Sequence, residues 1–462
     1  MVLLFVFRFN FAASLPPVLQ SALNDAGIPK EAVGIVVYDN SRKKPVLMHN
    51  AGRAFNPAST MKLLTTFAGL ELLGPNFSWR TEMYVNGEIE NGVLNGDLII
   101  KGYGDPSLTL EKFWLLLHKL RLAALRDIRG DLVLDTQYFS LPPHDPAEFD
   151  DRPERAYNVG PQSLLINYNA IEFQISADQK NVFVRADPPL SELKIVNSLM
   201  LAADECTKNW RDAIEVGTHN DAEFKTVEFS GSYSPQCGTR SIYLNLFDNT
   251  RYVFGVFKKL WEESGGKFAG TVRLGAVPAG SKLIVTQASR PLSEVVRDIN
   301  KFSNNVMARQ LFLTISSELS GAPGTTQNAA TIVKQSLITK GLYFDGLVLE
   351  NGAGLSRKER ITPAELGELL QAAYNSPLMP EFIASLPMLS VDGTLQKRLK
   401  GQDISGQAHI KTGSLDQVRA MAGYVHDRRG RLMIVVFLIN HSRAADSLVA
   451  QDKLLKWVYE RR

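Results

Sequence analysis

Apolar residues concentrate in short strand-like runs near both ends of the chain and recur at helical spacing between them. The runs predict strands at 33–38, 45–49, 408–411, 418–426 and 431–440. The helical spacing predicts helices at 18–26, 58–73, 292–300, 304–319, 327–339, 363–374 and 444–462. Together these elements indicate an α+β fold, a five-stranded antiparallel sheet assembled from both chain ends with helices on both faces.

The pattern changes between 76 and 284. Strand-like runs at 80–85, 96–101 and 130–135 alternate there with turns rich in Gly, Asn, Asp and Pro. One helix, at 110–126, interrupts them. We therefore expect a domain formed by 15–75 and 285–462 with a β-rich insertion at 76–284, and a further small, irregular insertion near 188–237.

Composition excludes several function classes. The chain has 462 residues, of which 45% are hydrophobic and 21% charged, and a formal net charge of +3. Without a long basic run, nucleic-acid binding has no support. No apolar run is long enough for a transmembrane segment. Neither metal-ligand spacing among the histidines nor a complete dinucleotide-binding glycine loop occurs, so we expect neither a metal nor a cofactor.

Two features bear on cellular location. The first 14 residues resemble a degenerate signal peptide, in which Arg8 and Asn10 interrupt the apolar stretch and 12–14 supply small residues for cleavage. This predicts an exported, periplasmic protein. The only cysteines are Cys206 and Cys237. In an exported protein they are expected to form a disulfide, and the alternative is two free thiols.

Three short strings carry the candidate chemistry: Ser59-Thr60-Met61-Lys62, Ser303-Asn304-Asn305 and Lys411-Thr412-Gly413. Each is weak alone, because Ser-x-x-Lys also occurs at 41–44, 191–194 and 264–267. The second and third strings are unique in the chain, and all three stand in the order of a serine–lysine acyl-transfer site.

The residue types suit that chemistry. Ser59 and Lys62 are three residues apart in a predicted first helical turn and share a face. Lys62 can take the proton of Ser59 only if burial or a nearby cation, for which Lys411 is the candidate, lowers its pKa. The alternatives are a helix start with a solvated lysine for the first string, a helix N-cap for the second and a strand exit for the third.

With these motifs the chain resembles the class C low-molecular-mass penicillin-binding proteins, the D-alanyl-D-alanine carboxypeptidase/endopeptidase family. In that family a large insertion separates the first two motifs, and the segments 351–357 and 390–395 are also similar to family segments. The resemblance implies a serine β-lactamase/transpeptidase-like domain and requires no cofactor.

The resemblance also implies roles for individual residues. Ser59 would be the nucleophile, Lys62 the base, and Ser303 a proton relay. Substrate-binding roles fall to Asn305 for the peptide backbone; to Lys411, Thr412, Gly413 and Ser414 for the terminal carboxylate and the oxyanion; and to Arg357, Tyr157 and an acidic residue near Asp151 for the side chain of the substrate's diamino acid.

We therefore expect a periplasmic serine D,D-peptidase that acts on peptidoglycan stem peptides or their crosslinks and is acylated by β-lactam antibiotics. Carboxypeptidase and endopeptidase action remain open, as does the oligomeric state. One alternative is a serine β-lactamase, against which stand the lack of a Glu-x-x-Leu-Asn string between the first two motifs and of a Tyr in the second. Another is a catalytically silent peptidoglycan-binding scaffold.

Overall fold

The structure, a computed structural model, describes residues 14–40, 44–203, 205–207, 209–220 and 224–461. The chain divides into two compact units. The first consists of Met1–Ser78 and Arg290–Arg462, and the second of Trp79–Ser289. The predicted signal peptide lies outside the described residues apart from Ser14. Within the described ranges, no helix combines the length and the apolar character needed to cross a membrane.

The helices and strands, each numbered in chain order, have the following bounds. The helices are α1 (Pro17–Asp25), α2 (Lys62–Leu73), α3 (Leu110–Leu122), α4 (Asn249–Glu263), α5 (Leu292–Lys301), α6 (Asn305–Ser320), α7 (Thr326–Thr339), α8 (Pro363–Asn375), α9 (Met379–Ser385) and α10 (Leu448–Tyr459). The strands up to residue 201 are β1 (Val33–Asp39), β2 (Lys44–His49), β3 (Arg80–Glu90), β4 (Val93–Gly102), β5 (Asp127–Ile128), β6 (Leu132–Asp135), β7 (Ile171–Ala177), β8 (Val182–Asp187) and β9 (Leu193–Leu201). The later strands are β10 (Ile214–Asn220), β11 (Lys225–Tyr233), β12 (Arg240–Leu244), β13 (Lys267–Phe268), β14 (Val272–Leu274), β15 (Lys282–Ala288), β16 (Ala408–Leu415), β17 (Val418–His426) and β18 (Leu432–Asn440).

A five-stranded sheet with the order β16-β17-β18-β1-β2 forms the centre of the first unit. All neighbouring strands are antiparallel, which confirms the sheet expected from the two chain ends. Successive side chains of a strand point to opposite faces. Ile35 and Val37 of β1 lie in a core cluster with α1 and α10. Val36 and Tyr38 lie against Gly367 of α8, so helices cover both faces.

A group of helices in the same unit supports the segments that carry the motifs. Asn300, near the end of α5, donates from Nδ2 to Thr66 Oγ1 of α2 at 3.1 Å and to Ser385 Oγ of α9 at 2.8 Å. Helix α6 is buried along its length from 306 to 317. Buried hydrogen bonds thereby join α5, which precedes the second motif, to α2 and α9.

The residues of the second unit that the structure describes form three sheets. The largest has seven strands, with the path β13-β5-β4-β3-β15 and β6 and β14 beside it. The other two have the orders β12-β7-β8 and β10-β11-β9. We expected an irregular region near 188–237. That expectation was wrong, because β9, β10 and β11 form a sheet there. A disulfide joins Cys206 and Cys237.

The expectation of one helix within 76–284 was wrong, because α4 is a second helix there. Its N-cap Asp248 accepts a hydrogen bond from the backbone N–H of Arg251 at 3.0 Å. The first two turns of the helix, 249–255, include β-branched and aromatic residues, whose helix propensity is low. Burial of one face of α4, which includes Tyr252, Val256 and Trp261, outweighs that propensity.

Candidate active site

The first motif lies at the start of a helix, in a tight turn. Asn56 Oδ1 accepts from the backbone N–H of Ala58 at 2.9 Å, and Ala58–Met61 form one 3₁₀ turn before α2 begins at Lys62. Ala58 has a φ of 45°, a left-handed conformation that costs an alanine about 1 kcal/mol. The turn directs Ser59 Oγ to 2.9 Å from Lys62 Nζ.

Lys62 is enclosed on every side by groups from other elements. Its Nζ donates to Asn305 Oδ1 at 2.6 Å and to the carbonyl of Ala353, and the residue has no exposed surface. Burial, with the cation of Lys411 second, holds the pKa of Lys62 well below its usual value, while Glu359 opposes this shift and Arg309 adds to it. A lysine with a lowered pKa supplies the neutral amine that a general base must be.

The second motif contacts the third. Ser303, in a left-handed conformation with a φ of 57°, accepts at Oγ from Lys411 Nζ at 2.7 Å. Asn304 caps α6 by accepting the backbone N–H of Met307 at 3.0 Å. Lys411 is fully buried, and burial lowers its pKa to about 7. The hydroxyl of Ser303 and the ammonium of Lys411 thus form one polar pair beside the Ser59–Lys62 pair.

The third motif lies on an edge strand, because β16 is the first strand of its sheet. A Cβ at Gly413 would come within 2.9 Å of both the backbone nitrogen of Ser59 and the carbonyl oxygen of Pro57. Glycine is therefore required for the strand to approach the nucleophile this closely. Thr412 Oγ1 lies 3.0 Å from Thr394 Oγ1, and Ser414 is exposed.

The remaining predicted residues fall in both units. Arg357, in the first unit, donates from Nη1 to the carbonyl of Asp416 at 3.1 Å. In the second unit, the hydroxyl of Tyr157 donates to Asp150 Oδ2 at 2.6 Å, so the carboxylate paired with Tyr157 is that of Asp150. Burial and Asp150 raise the pKa of Tyr157 to about 12. Asp151 is exposed, in a left-handed turn with a φ of 57°.

Several groups around the site were not predicted from the sequence. These are the carbonyl of Ala353, the buried Arg309 and Glu359, and the pair formed by Lys301 Nζ and Asp392 Oδ2 at 2.6 Å. Ala353 and Asp392 belong to the two segments that resemble family segments, so that resemblance was a signal for them. For Arg309 and Glu359 the local sequence offered none.

The chain is similar to known proteins along most of its length. The model of the D-Ala-D-Ala carboxypeptidase 3 (S13) family matches residues 16–460. The chain is 27% identical to a D-alanyl-D-alanine carboxypeptidase of Actinomadura sp. (strain R39), over 94% of this chain and 82% of that protein. It is 25% identical to the D-alanyl-D-alanine carboxypeptidase DacB of Haemophilus influenzae, over 95% of this chain and 92% of that protein. The crystal structure of penicillin binding protein 4 (dacB) from Haemophilus influenzae has the same fold, with a TM-score of 0.79, 23% identity and coverage of 96% of this chain and 99% of that one.

Proposed function

The chain belongs to the D-Ala-D-Ala carboxypeptidase 3 (S13) family, and from this membership we propose that it hydrolyses peptidoglycan stem peptides through an acyl-enzyme on Ser59. The observation that carries the proposal is the 2.9 Å distance between Ser59 Oγ and Nζ of the buried Lys62. A serine hydroxyl becomes an effective nucleophile when a base within hydrogen-bond reach takes its proton.

The acylation step uses groups of all three motifs. Ser59 Oγ attacks the carbonyl carbon of the penultimate D-alanine while its proton moves to Lys62 Nζ. Backbone N–H groups of Ser59 and Ser414 stabilise the oxyanion, and Lys411 with Thr412 binds the terminal carboxylate. Asn305 binds the peptide backbone. Lys62 then returns the proton to the leaving amine, with the hydroxyl of Ser303 as relay, and the C–N bond breaks.

Hydrolysis of the ester completes the cycle. A water molecule attacks the acyl carbon, its proton moves to Lys62 Nζ, and Ser59 Oγ leaves and takes that proton. A β-lactam would acylate Ser59 by the same attack and leave an ester. The periplasm is the proposed location, and the roles expected of Arg357, Tyr157 and Asp151 stay predictions.

The experiment incubates the purified protein and the variant Ser59→Ala with a pentapeptide and with crosslinked muropeptides. Chromatography of the products distinguishes loss of the terminal D-alanine from cleavage of the crosslink. We expect the wild type to cut at least one substrate and Ser59→Ala to lose more than 10³-fold in rate, as when a catalytic nucleophile is removed. Equal rates would refute the proposed mechanism.

Two further measurements separate the alternatives. Sustained turnover of a chromogenic cephalosporin by the wild type would indicate a β-lactamase. Folded wild type that neither cleaves these substrates nor is labelled by fluorescent penicillin would indicate a silent scaffold.

A further inference from the structure

We infer that Glu359 is a positioning residue for this reaction, because it fixes the loop 350–353 on Lys62 and supplies the negative charge among the cations around that lysine. The inference rests on the proposed role of Lys62 as the base. Glu359 is fully buried, although Arg357 and Lys358 before it are exposed.

One carboxyl oxygen of Glu359 accepts hydrogen bonds from three backbone N–H groups of the loop. Its Oε1 accepts from the N–H groups of Glu350 at 3.1 Å, Asn351 at 2.9 Å and Gly352 at 3.0 Å. Three converging N–H donors are the arrangement that favours a carboxylate over a neutral acid. The loop is therefore bound to one oxygen of the Glu359 carboxyl group from inside the protein.

The loop held in this way reaches the catalytic helix. Thr65 Oγ1 of α2 donates to the carbonyl of Gly352 at 2.6 Å, and the next carbonyl, of Ala353, accepts from Lys62 Nζ. A Cβ at Gly354 would clash with the carbonyl of Ala58, next to the nucleophile. The position of Glu359 thus determines where Lys62 Nζ lies relative to Ser59.

The charges around Lys62 give Glu359 a second effect. Lys411 of β16 and Arg309 of α6 favour the neutral amine, and the carboxylate of Glu359 favours the ammonium. Burial raises the pKa of Glu359, and its backbone hydrogen bonds and Lys62 act against that shift. Removal of the negative charge should therefore lower the pKa of Lys62 further.

The test is the variant Glu359→Gln, which keeps an acceptor for the three N–H groups and removes the charge. The second-order rate constant of acylation by fluorescent penicillin is measured against pH. Because the neutral amine is the base, this rate rises as pH passes the pKa of Lys62. In Glu359→Gln we expect the rising limb to move to lower pH by about one unit. A nearby opposite charge shifts a pKa by about one to three units, and we take the smaller value.

Glu365→Gln is the matched control. Glu365 is also buried and also accepts two backbone N–H groups, from Gly346 at 2.7 Å and Thr362 at 2.8 Å, but it is not among the groups that shift the pKa of Lys62. We expect the rising limb of this variant to stay in place. Glu359→Ala, which also removes the acceptor, should lower the rate at every pH by about 10- to 100-fold because the base is misplaced.

A readout independent of catalysis separates this inference from the proposed function. The NMR signal of the Lys62 side chain, assigned by its loss in Lys62→Arg, reports the pKa of Lys62 directly. A lower pKa in folded Glu359→Gln supports the inference even if the wild type is not acylated. An unchanged pKa of Lys62 in this variant, with an unmoved rising limb, would overturn it.

Discussion

At the scale of single residues, the buried lysines Lys62 and Lys411 need opposite charge states for their proposed roles. Lys62 must be neutral to take the proton of Ser59, whereas Lys411 must be charged to bind a carboxylate. Burial lowers the pKa of Lys411 to about 7, so this group is a cation below that pH and neutral above it. For a carboxylate-bearing penicillin we therefore expect the second-order acylation rate to fall as pH rises through about 7.

The variant Lys411→Arg tests this assignment, because a guanidinium keeps its charge to above pH 12. Its maximal rate should fall, since a fork-shaped group replaces a point charge in a buried space, but the decline above pH 7 should disappear. Lys397→Arg, at an exposed position in the same unit, should keep the wild-type profile. A decline that persists in Lys411→Arg would assign the titration to another group.

At the scale of elements, β16 can lie this close to the turn that carries Ser59 only because position 413 is a glycine. A Cβ at Gly413 would lie 2.9 Å from the backbone nitrogen of Ser59 and 3.0 Å from Ala58 Cβ, so the strand must shift in Gly413→Ala. A displacement near 1 Å costs about 100-fold in rate. We expect penicillin acylation to slow by about 10- to 100-fold.

Gly217→Ala is the matched control, since Gly217 also lies within a strand and a Cβ there would contact nothing within 4 Å. Its acylation rate should equal that of the wild type. If Gly413→Ala reacts at the wild-type rate, the close approach of β16 is not needed for acylation.

At the scale of elements, the strands of the central sheet and the motif helices could be predicted from the sequence, and the contacts around Lys62 could not. The strands of the central sheet follow from runs such as that of β18, whose residues are buried from 433 to 439, and the motif helices follow from caps and punctuating prolines. Glu359 could not be predicted, because Arg357-Lys358-Glu359-Arg360 is typical of an exposed charged run. The hydrogen bonds that Glu359 accepts from the N–H groups of 350–352 belong to the folded loop and leave no pattern in the sequence. The contact of Lys62 with Ala353 spans 291 residues and has no local signature.

At the scale of the whole molecule, the chemistry and the disulfide belong to different compact units. The three motifs lie in the first, and Cys206–Cys237 lies in the second. The bridge closes a loop with a sequence separation of 31 residues, which constrains the unfolded chain and stabilises the fold by about 3 to 4 kcal/mol. Each unit has its own hydrophobic core cluster, so the loss of the bridge should act mainly on the second.

The double variant Cys206→Ala/Cys237→Ala should therefore lose stability without losing acylation. We expect a fall in Tm on the order of 10 °C for the affected transition in calorimetry. Penicillin labelling of Ser59 at 25 °C should proceed at the wild-type rate, because its groups keep their surroundings. Dithiothreitol should lower the Tm of the wild type to that of the double variant and leave the variant unchanged, which separates the bridge from the substitutions. A parallel loss of labelling and stability would contradict the expectation that the bridge acts mainly on the second unit.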